Sequence, residues 1–167
     1  MKSLLLVIAI LLSTAFTTTE GEYHPDRSPT ITIETPKVVT ISKLDLLYLA
    51  VRHMESSNGR IVRTPESIAE GAEGDLQIHK STVDYCNDYL GCNYTYEDRL
   101  DSAKSRQIFY KIQNQFNKKH NLALGMHIWN AGPNKIEKYW NATESYRAKC
   151  FAYINKLKHE HNFKIIN

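Results

Sequence analysis

The sequence predicts a mainly α-helical domain with an irregular or short β segment after its first helix. Two observations favour this class. From Ser42 onward most apolar residues recur at helical spacing, and the glycine-containing stretch 58–80 interrupts that period. The chain has 167 residues, 42% of them hydrophobic and 23% charged, with 7 Gly and 5 Pro. This composition excludes a collagen-like, low-complexity or wholly disordered chain, and the length indicates one domain.

The charge of the chain is unevenly distributed. The formal net charge of +3 comes from 21 Lys and Arg against 18 Asp and Glu, which is too even a balance to favour a nucleic-acid binder. Residues 1–103 carry 9 basic and 15 acidic side chains, whereas residues 104–167 carry 12 basic and 3 acidic ones. The C-terminal part is therefore basic and suits contact with an anionic polymer or surface.

The N-terminus has the order of a secretory signal. Lys2 precedes the apolar run 4–12, and small or polar residues follow at 13–17. This run is too short to span a bilayer, which needs about 20 residues. We therefore expect a signal peptide at 1–19, a secreted or periplasmic protein of the cell envelope, and no stable membrane insertion after cleavage. An uncleaved anchor or a buried strand is the alternative.

The signal is followed by a segment without helical period. Residues 20–41 hold three of the five prolines, which predicts an extended linker with a brief strand at 31–33. The helical domain is expected at 42–160 and a tail at 161–167. Export makes disulfides possible, and a bond between Cys86 and Cys92 or three reduced thiols, with Cys150 buried, both remain open.

The first helix of the domain ends on a carboxylate. Ser42 and Asp45 have the spacing of a capping box, and an apolar stripe starts at Leu44. Glu55 follows eleven positions later, only about 20° from Leu44 around a helix axis. The residues at 56–59, Ser-Ser-Asn-Gly, then stop the helix.

An acid in such a place has a chemical use. Apolar surroundings raise the pKa of a glutamate because they penalise its ionised form, and a glutamic acid that keeps its proton near neutral pH can act as a general acid. The alternative is that Glu55 is a surface residue that pairs with Arg52 or His53.

Four further helices are predicted along the chain. They are a short helix capped by Ser81 and Asp84 and ending near 89–91, a long amphipathic helix at about 96–119, a hydrophobic helix at 122–129, and a last helix that begins near Thr143.

Four segments stand in a recognisable order along these elements. They are Met-Glu-Ser at 54–56, Gly-Ala-Glu-Gly-Asp-Leu-Gln-Ile at 71–78, Trp-Asn-Ala-Gly-Pro at 129–133, and Thr-Glu-Ser-Tyr at 143–146. Together they resemble the lysozyme-like domain of the soluble lytic transglycosylases, a family of peptidoglycan-cleaving enzymes. The resemblance covers about residues 44–154. It implies an α+β lysozyme-like fold with a central substrate cleft.

The resemblance also implies a mechanism. Glu55 would be the only catalytic carboxylate, first protonating the leaving oxygen and then taking the proton from the C6 hydroxyl of N-acetylmuramic acid. The product would carry a 1,6-anhydro end. The acetamido group of the substrate would stabilise the intermediate, so no second protein carboxylate, metal or cofactor would be needed.

The other motif residues take supporting roles by the same resemblance. Ser56 would orient the Glu55 carboxyl, and Tyr146 would reach it through its hydroxyl. The remaining expected cleft residues are Gly71 and Gly74, which let backbone approach the glycan, Gln77, the aromatic Trp129 where the family usually has Tyr, Asn130 for an acetamido group or the reacting sugar, and Gly132, which admits the ring. Turn glycines, a helix stop at 130–133 and a core tyrosine are the structural alternatives.

Two departures from the family pattern leave alternatives open. Glu73 and Asp75 occupy commonly apolar positions and could activate a water molecule, as in a hydrolase like goose-type lysozyme. However, His79 stands where those enzymes often have Asp. We favour transglycosylation on peptidoglycan glycan strands, with a hydrolase or a non-catalytic glycan-binding protein as alternatives. Since no wall-binding module is visible, we expect either delivery by a larger envelope-spanning machine or action as a free enzyme.

Overall fold

Helices dominate the part of the chain that the computed structural model describes, namely residues 38–61, 63, 71–161 and 163–166. The mainly α prediction is thus confirmed for these residues. The predicted signal peptide at 1–19, the brief strand at 31–33 and most of the linker lie outside the described residues. No helix among the described residues is long and apolar enough to cross a membrane.

The described residues form six α-helices, four short strands and three 3-10 helices. The α-helices are α1 Lys43–Ser56, α2 Lys80–Leu90, α3 Ser102–Phe116, α4 Leu122–Ala131, α5 Ile136–Tyr139 and α6 Glu144–His161. The strands are β1 Val39–Ser42, β2 Ala72–Glu73, β3 Ile78–His79 and β4 Phe163–Ile166. Short 3-10 helices lie at Tyr96–Leu100, Pro133–Lys135 and Asn141–Thr143.

Helix α1 begins and ends where the sequence predicts. The Ser42 hydroxyl accepts a hydrogen bond from the Asp45 backbone N–H at 3.0 Å and donates one to the Asp45 carboxylate at 2.7 Å. At the other end Ser57 adopts a left-handed conformation with φ +52°, and its N–H bonds to the carbonyl of His53 at 3.0 Å. These contacts satisfy backbone groups that the helix ends would otherwise leave unpaired.

Two helix starts differ from the sequence prediction. Helix α2 begins at Lys80 with His79 at its N-cap, so the predicted Ser81–Asp84 cap is wrong. The predicted helix at 96–119 is interrupted at Asp101, whose carboxylate accepts hydrogen bonds from the backbone N–H groups of Ala103 and Lys104, both at 2.8 Å. The Asp101 carboxylate thus provides acceptors for N–H groups in the first turn, which have no backbone partner at a helix start, and a new helix begins after it.

Two small sheets flank the helices. Strands β2 and β3 form an antiparallel hairpin, which is the short β segment predicted after the first helix. Strands β1 and β4 pair in parallel, with Val39 opposite Phe163. The strand pair extends the folded region beyond the predicted limits 42–160 into the end of the linker and the tail. Half-buried and exposed residues alternate along β4, as in a strand with one face against the protein.

Helix α1 lies at the centre of the core. Leu46, Leu47 and Val51 on this helix are fully buried, and α1 packs against α3, α4 and α6. A Cβ atom at Gly125 of α4 would lie 2.3 Å from the Leu47 side chain, so a glycine permits close contact between these two helices. Glu55 is therefore held at the end of a well-packed element. The cysteines at 86, 92 and 150 are all unbonded thiols.

Candidate active site

Glu55 lies in the last turn of α1, against α6. Its carboxylate oxygen Oε1 accepts a 2.6 Å hydrogen bond from the Tyr146 hydroxyl. The two residues are 91 positions apart in the chain, so only the packing of α6 on α1 brings them together. The structure thus places Tyr146 where the sequence resemblance expected it.

Two opposing effects act on the pKa of this acid. Loss of solvent raises the pKa of Glu55 above its ordinary value, and the hydrogen bond from Tyr146 opposes this by stabilising the ionised form. The alternative partners are engaged elsewhere: Arg52 pairs with Asp75, and the His53 ring stacks on Tyr153 at 3.8 Å. Glu55 therefore has the environment of a proton donor rather than that of a surface ion pair.

Cys150 is a member of this cluster that the sequence analysis did not assign to the site. It is buried on α6, one turn after Tyr146, and burial together with the charge of Glu55 raises its pKa to about 12. The group is therefore a neutral thiol. The four-residue spacing from Tyr146 is the sequence signal that would have identified it.

Ser56 does not contact the Glu55 carboxyl as predicted. Its hydroxyl donates to the backbone carbonyl of Asp75 at 2.6 Å and to that of Arg52 at 3.1 Å, and it accepts from the Gly59 N–H at 2.8 Å. The prediction fails because Ser56 lies about 100° around the helix from Glu55 and faces the hairpin. Ser56 fixes the hairpin loop to the end of α1.

Asp75 is buried in an ion pair. Its carboxylate binds Arg52 at 2.8 Å and accepts a hydrogen bond from the Ser102 hydroxyl at 2.6 Å. The side chains of Arg52 and Asp75 are only 9% and 5% exposed. Asp75 therefore supports the structure and does not present a free carboxylate to solvent.

Glu73, in strand β2 of the hairpin, is also held by arginines. It pairs with Arg99 at 3.0 Å and with Arg63 at 3.1 Å. The buried Arg99 also donates to the carbonyls of Gly71 at 2.6 Å and Ile78 at 3.0 Å, which joins both strands of the hairpin. The two acidic residues considered as water-activating bases thus hold the hairpin in place.

The glycines of the motif segments differ in what surrounds them. A Cβ atom at Gly74 would lie 1.8 Å from the carbonyl oxygen of Arg99, so the close approach there is to protein backbone and not to a ligand. Gly71 and Gly132 face open space, since no atom beyond the adjacent residues of the chain lies within 4 Å of a Cβ built on either one. Gly132 therefore leaves room beside it, and its role in admitting a ring stays a prediction.

A pocket of about 250 Å³ lies beside the hairpin. Gln77, Trp129 and Gly132 all line it, so the structure brings three of the predicted cleft residues together. Gln77 is held by a hydrogen bond from its amide nitrogen to the carbonyl of Gly74 at 2.9 Å. Asn130 is exposed at the end of α4 and does not line this pocket.

Comparisons of this chain with protein-family models, with curated proteins and with solved structures gave no match. The candidate residues form two separate groups. One is the acid Glu55 with its partner Tyr146, and the other is the pocket lined by Gln77 and Trp129, whose lining includes neither Glu55 nor Tyr146.

Proposed function

We propose that the protein is a peptidoglycan lytic transglycosylase. It cleaves the β-1,4 bond between N-acetylmuramic acid and N-acetylglucosamine, with Glu55 as the single acid and base. The observation that carries this proposal is the 2.6 Å hydrogen bond from Tyr146 to a half-buried glutamate of raised pKa. The order of the four sequence motifs adds support.

The environment of Glu55 suits both halves of the reaction. In the first half, the raised pKa favours the protonated form of the carboxyl, and Glu55 donates this proton to the glycosidic oxygen as the bond to C1 breaks. In the second half, the carboxylate accepts the proton of the C6 hydroxyl while that oxygen attacks C1. The Tyr146 hydroxyl stabilises the carboxylate between these two steps.

The pairing of the neighbouring acids supports a lyase over a hydrolase. An inverting glycosidase needs a second carboxylate that activates water on the opposite face of the sugar. Asp75 and Glu73 are the nearby candidates in sequence, and both are engaged by arginines in the structure. Intramolecular attack by the C6 hydroxyl needs no second carboxylate, because Glu55 serves as both acid and base.

The proposed setting follows from the substrate. Peptidoglycan lies outside the cytoplasmic membrane, which fits the signal-like N-terminus and a secreted or periplasmic location. The basic residues of 104–167 suit the anionic groups of the wall. The partners are the glycan strands, with a larger envelope-spanning machine as a means of delivery.

A pair of matched glutamine variants tests the proposal. Glu55→Gln keeps the shape of the side chain and removes the acid, so release of soluble fragments from purified sacculi should fall by about two to four orders of magnitude. Glu97→Gln, at an exposed position on the 3-10 helix, should leave this release unchanged. Circular dichroism checks that both variants fold.

Mass spectrometry of the wild-type digest identifies the reaction. Fragments with 1,6-anhydro ends indicate a lyase, whereas reducing ends indicate a hydrolase and contradict the proposed reaction. Cleavage that persists in Glu55→Gln rules out Glu55 as the acid. Wild-type binding to sacculi without release of fragments would instead identify a non-catalytic glycan-binding protein.

A further inference from the structure

Cys86 and Cys92 lie together at the C-terminal end of α2. Cys86 is one turn before the end of this helix, and Gly91 terminates it with a left-handed φ of +62°. The chain then turns back, and the N–H of Cys92 donates to the carbonyl of Cys86 at 3.2 Å. After a left-handed cap, the next residue commonly packs its side chain on the last turns of the helix. The two cysteines are therefore neighbours in space.

Asn87 fastens the loop that carries Cys92 to α2. Its amide nitrogen donates to the carbonyl of Tyr94 at 2.8 Å, and its amide oxygen accepts from the Tyr94 N–H at 2.8 Å. The side-chain amide thus pairs with both backbone groups of one residue. Because Asn87 directly follows Cys86, and Tyr94 is close to Cys92 in the chain, the same contact holds the two thiols near each other.

The backbone at this helix end suits a disulfide. A backbone hydrogen bond keeps the Cα atoms of its two residues about 5–6 Å apart, and a disulfide needs a Cα separation of about 4.4–6.8 Å. The Cys92 thiol also points back to the helix end, where it donates to the carbonyl of Leu90 at 3.7 Å. The two sulfurs can therefore be joined by rotation of the side chains while the backbone stays in place.

The two thiols differ in their access to solvent. Cys86 is fully buried, whereas Cys92 is partly exposed and can meet a reagent from solution. Burial and the charge of Cys92 raise the pKa of Cys86 to about 11, and Lys111 of α3 opposes this. Reduced Cys86 is therefore a neutral thiol. It lacks the stabilised thiolate that favours the reduced state in strongly oxidising dithiol proteins.

We propose that Cys86 and Cys92 form a disulfide when the exported protein meets an organic disulfide as oxidant. The Cys92 thiolate attacks one sulfur of the oxidant, whose S–S bond breaks, and the first oxidant thiol leaves. The Cys86 thiolate then attacks the Cys92 sulfur of this mixed disulfide and releases the second oxidant thiol. Two protein thiols are oxidised, one oxidant disulfide is reduced to two thiols, and the protons of the protein thiols pass to these products. The new bond ties the loop after α2 to the helix, next to Tyr85 in the pocket wall.

Oxidation of the reduced full chain tests the pair. In native buffer with oxidised and reduced glutathione, we expect the mass of the protein to fall by about 2 Da as the bond closes. Peptide mapping should join Cys86 to Cys92 and leave Cys150, which is buried on α6, as a free thiol. Cys150→Ser should form the same bond, whereas Cys86→Ser should stop at a glutathione adduct on Cys92.

The folded state should favour the bond thermodynamically. The equilibrium constant for closure against glutathione should be at least about tenfold higher in native buffer than in denaturing urea, because a bond that stabilises the fold is stabilised by the fold to the same extent. Asn87→Ala keeps both thiols but removes the contact with Tyr94, so it should lower the native constant about threefold. Asn93→Ala changes an exposed residue of the same loop and is the matched control.

Three results would overturn the proposal. They are a glutathione adduct that persists on wild-type Cys92, a bond that includes Cys150, and equal closure constants in native buffer and in urea. Circular dichroism before oxidation checks the fold of each variant, and if Cys86→Ser does not fold, the wild-type, Cys150→Ser and Asn87→Ala measurements still decide. Closure is measured without glycan, so its failure leaves the transglycosylase assignment standing, and a failure of the Glu55→Gln test leaves the disulfide standing.

Discussion

Replacement of Gly74 by alanine should destabilise the hairpin beside the proposed site. Gly74 has φ +81°, a left-handed conformation that costs a residue with a side chain about 1–2 kcal/mol. An alanine Cβ would also lie 1.8 Å from the carbonyl oxygen of Arg99, where backbone has to move to accommodate it. Overpacking of this kind costs about 1–3 kcal/mol. The sum is a loss of about 2–5 kcal/mol in the free energy of unfolding.

Gly71 provides a matched control in the same segment. It has a similar φ of +73°, but nothing lies within 4 Å of a Cβ built on it. Gly71→Ala should therefore cost only the left-handed strain of about 1–2 kcal/mol. The difference between the two variants isolates the clash with Arg99, and urea unfolding measures it.

The same substitution has a functional readout. The Gly74 carbonyl accepts hydrogen bonds from both the backbone N–H and the side-chain amide of Gln77, at 3.1 Å and 2.9 Å. Displacement of Gly74 should therefore move Gln77 and raise KM for glycan more than Gly71→Ala does. If the two alanine variants unfold at the same urea concentration, the contact between Gly74 and Arg99 does not constrain the hairpin and this reasoning is wrong.

Three other substitutions test the charge arrangement. Tyr146→Phe removes a hydrogen bond that lowers the pKa of Glu55, so the fall in kcat/KM at high pH should move to higher pH. Tyr153→Phe is the control and should not move it, because the Tyr153 hydroxyl bonds to Asn58. Because the pKa of Glu55 is higher in the folded state than its value of 4.5 in the unfolded state, protonation of Glu55 stabilises the fold at low pH. This contribution is lost as the pH rises through the pKa of the folded state. The urea midpoint of Glu55→Gln, relative to that of wild type, should therefore increase from pH 4 to pH 7. Asp75→Asn leaves the Arg52 charge buried without its counterion and should lower the free energy of unfolding by about 3–5 kcal/mol in urea titrations.

Local signals predicted the first helix and the position of Glu55 on it. Capping by Ser42, the apolar stripe and the stop after Ser56 all depend on residues within one or two turns, and such patterns are readable from sequence. The break at Asp101 was missed because apolar periodicity continues across it. The Asp-Ser pair at 101–102 is the N-cap signal that would have located it.

Contacts between distant segments could not be predicted in this way. The pairing of β1 with β4 joins the two ends of the described region, and neither strand has a neighbour in sequence that indicates its partner. The same holds for the arginine partners of Glu73 and Asp75. Their positions in the motif segment indicated carboxylates beside the cleft that could activate water, whereas tertiary contacts hold both of them in ion pairs.

Residues near the end of α1 have different partners because they point in different directions around the helix. Arg52 and Ser56 are four residues apart and share a face, and both bind Asp75, through its carboxylate and its backbone carbonyl. Glu55 lies about 100° around the helix from Ser56 and about 60° from Arg52, and it hydrogen-bonds Tyr146 instead. A free Arg52 charge three residues from Glu55 would lower the pKa of that acid. In the folded protein Arg52 pairs with Asp75, and the pKa of Glu55 is shifted by burial and by the Tyr146 hydroxyl. The same Arg52–Asp75 pair anchors the hairpin that carries Gln77.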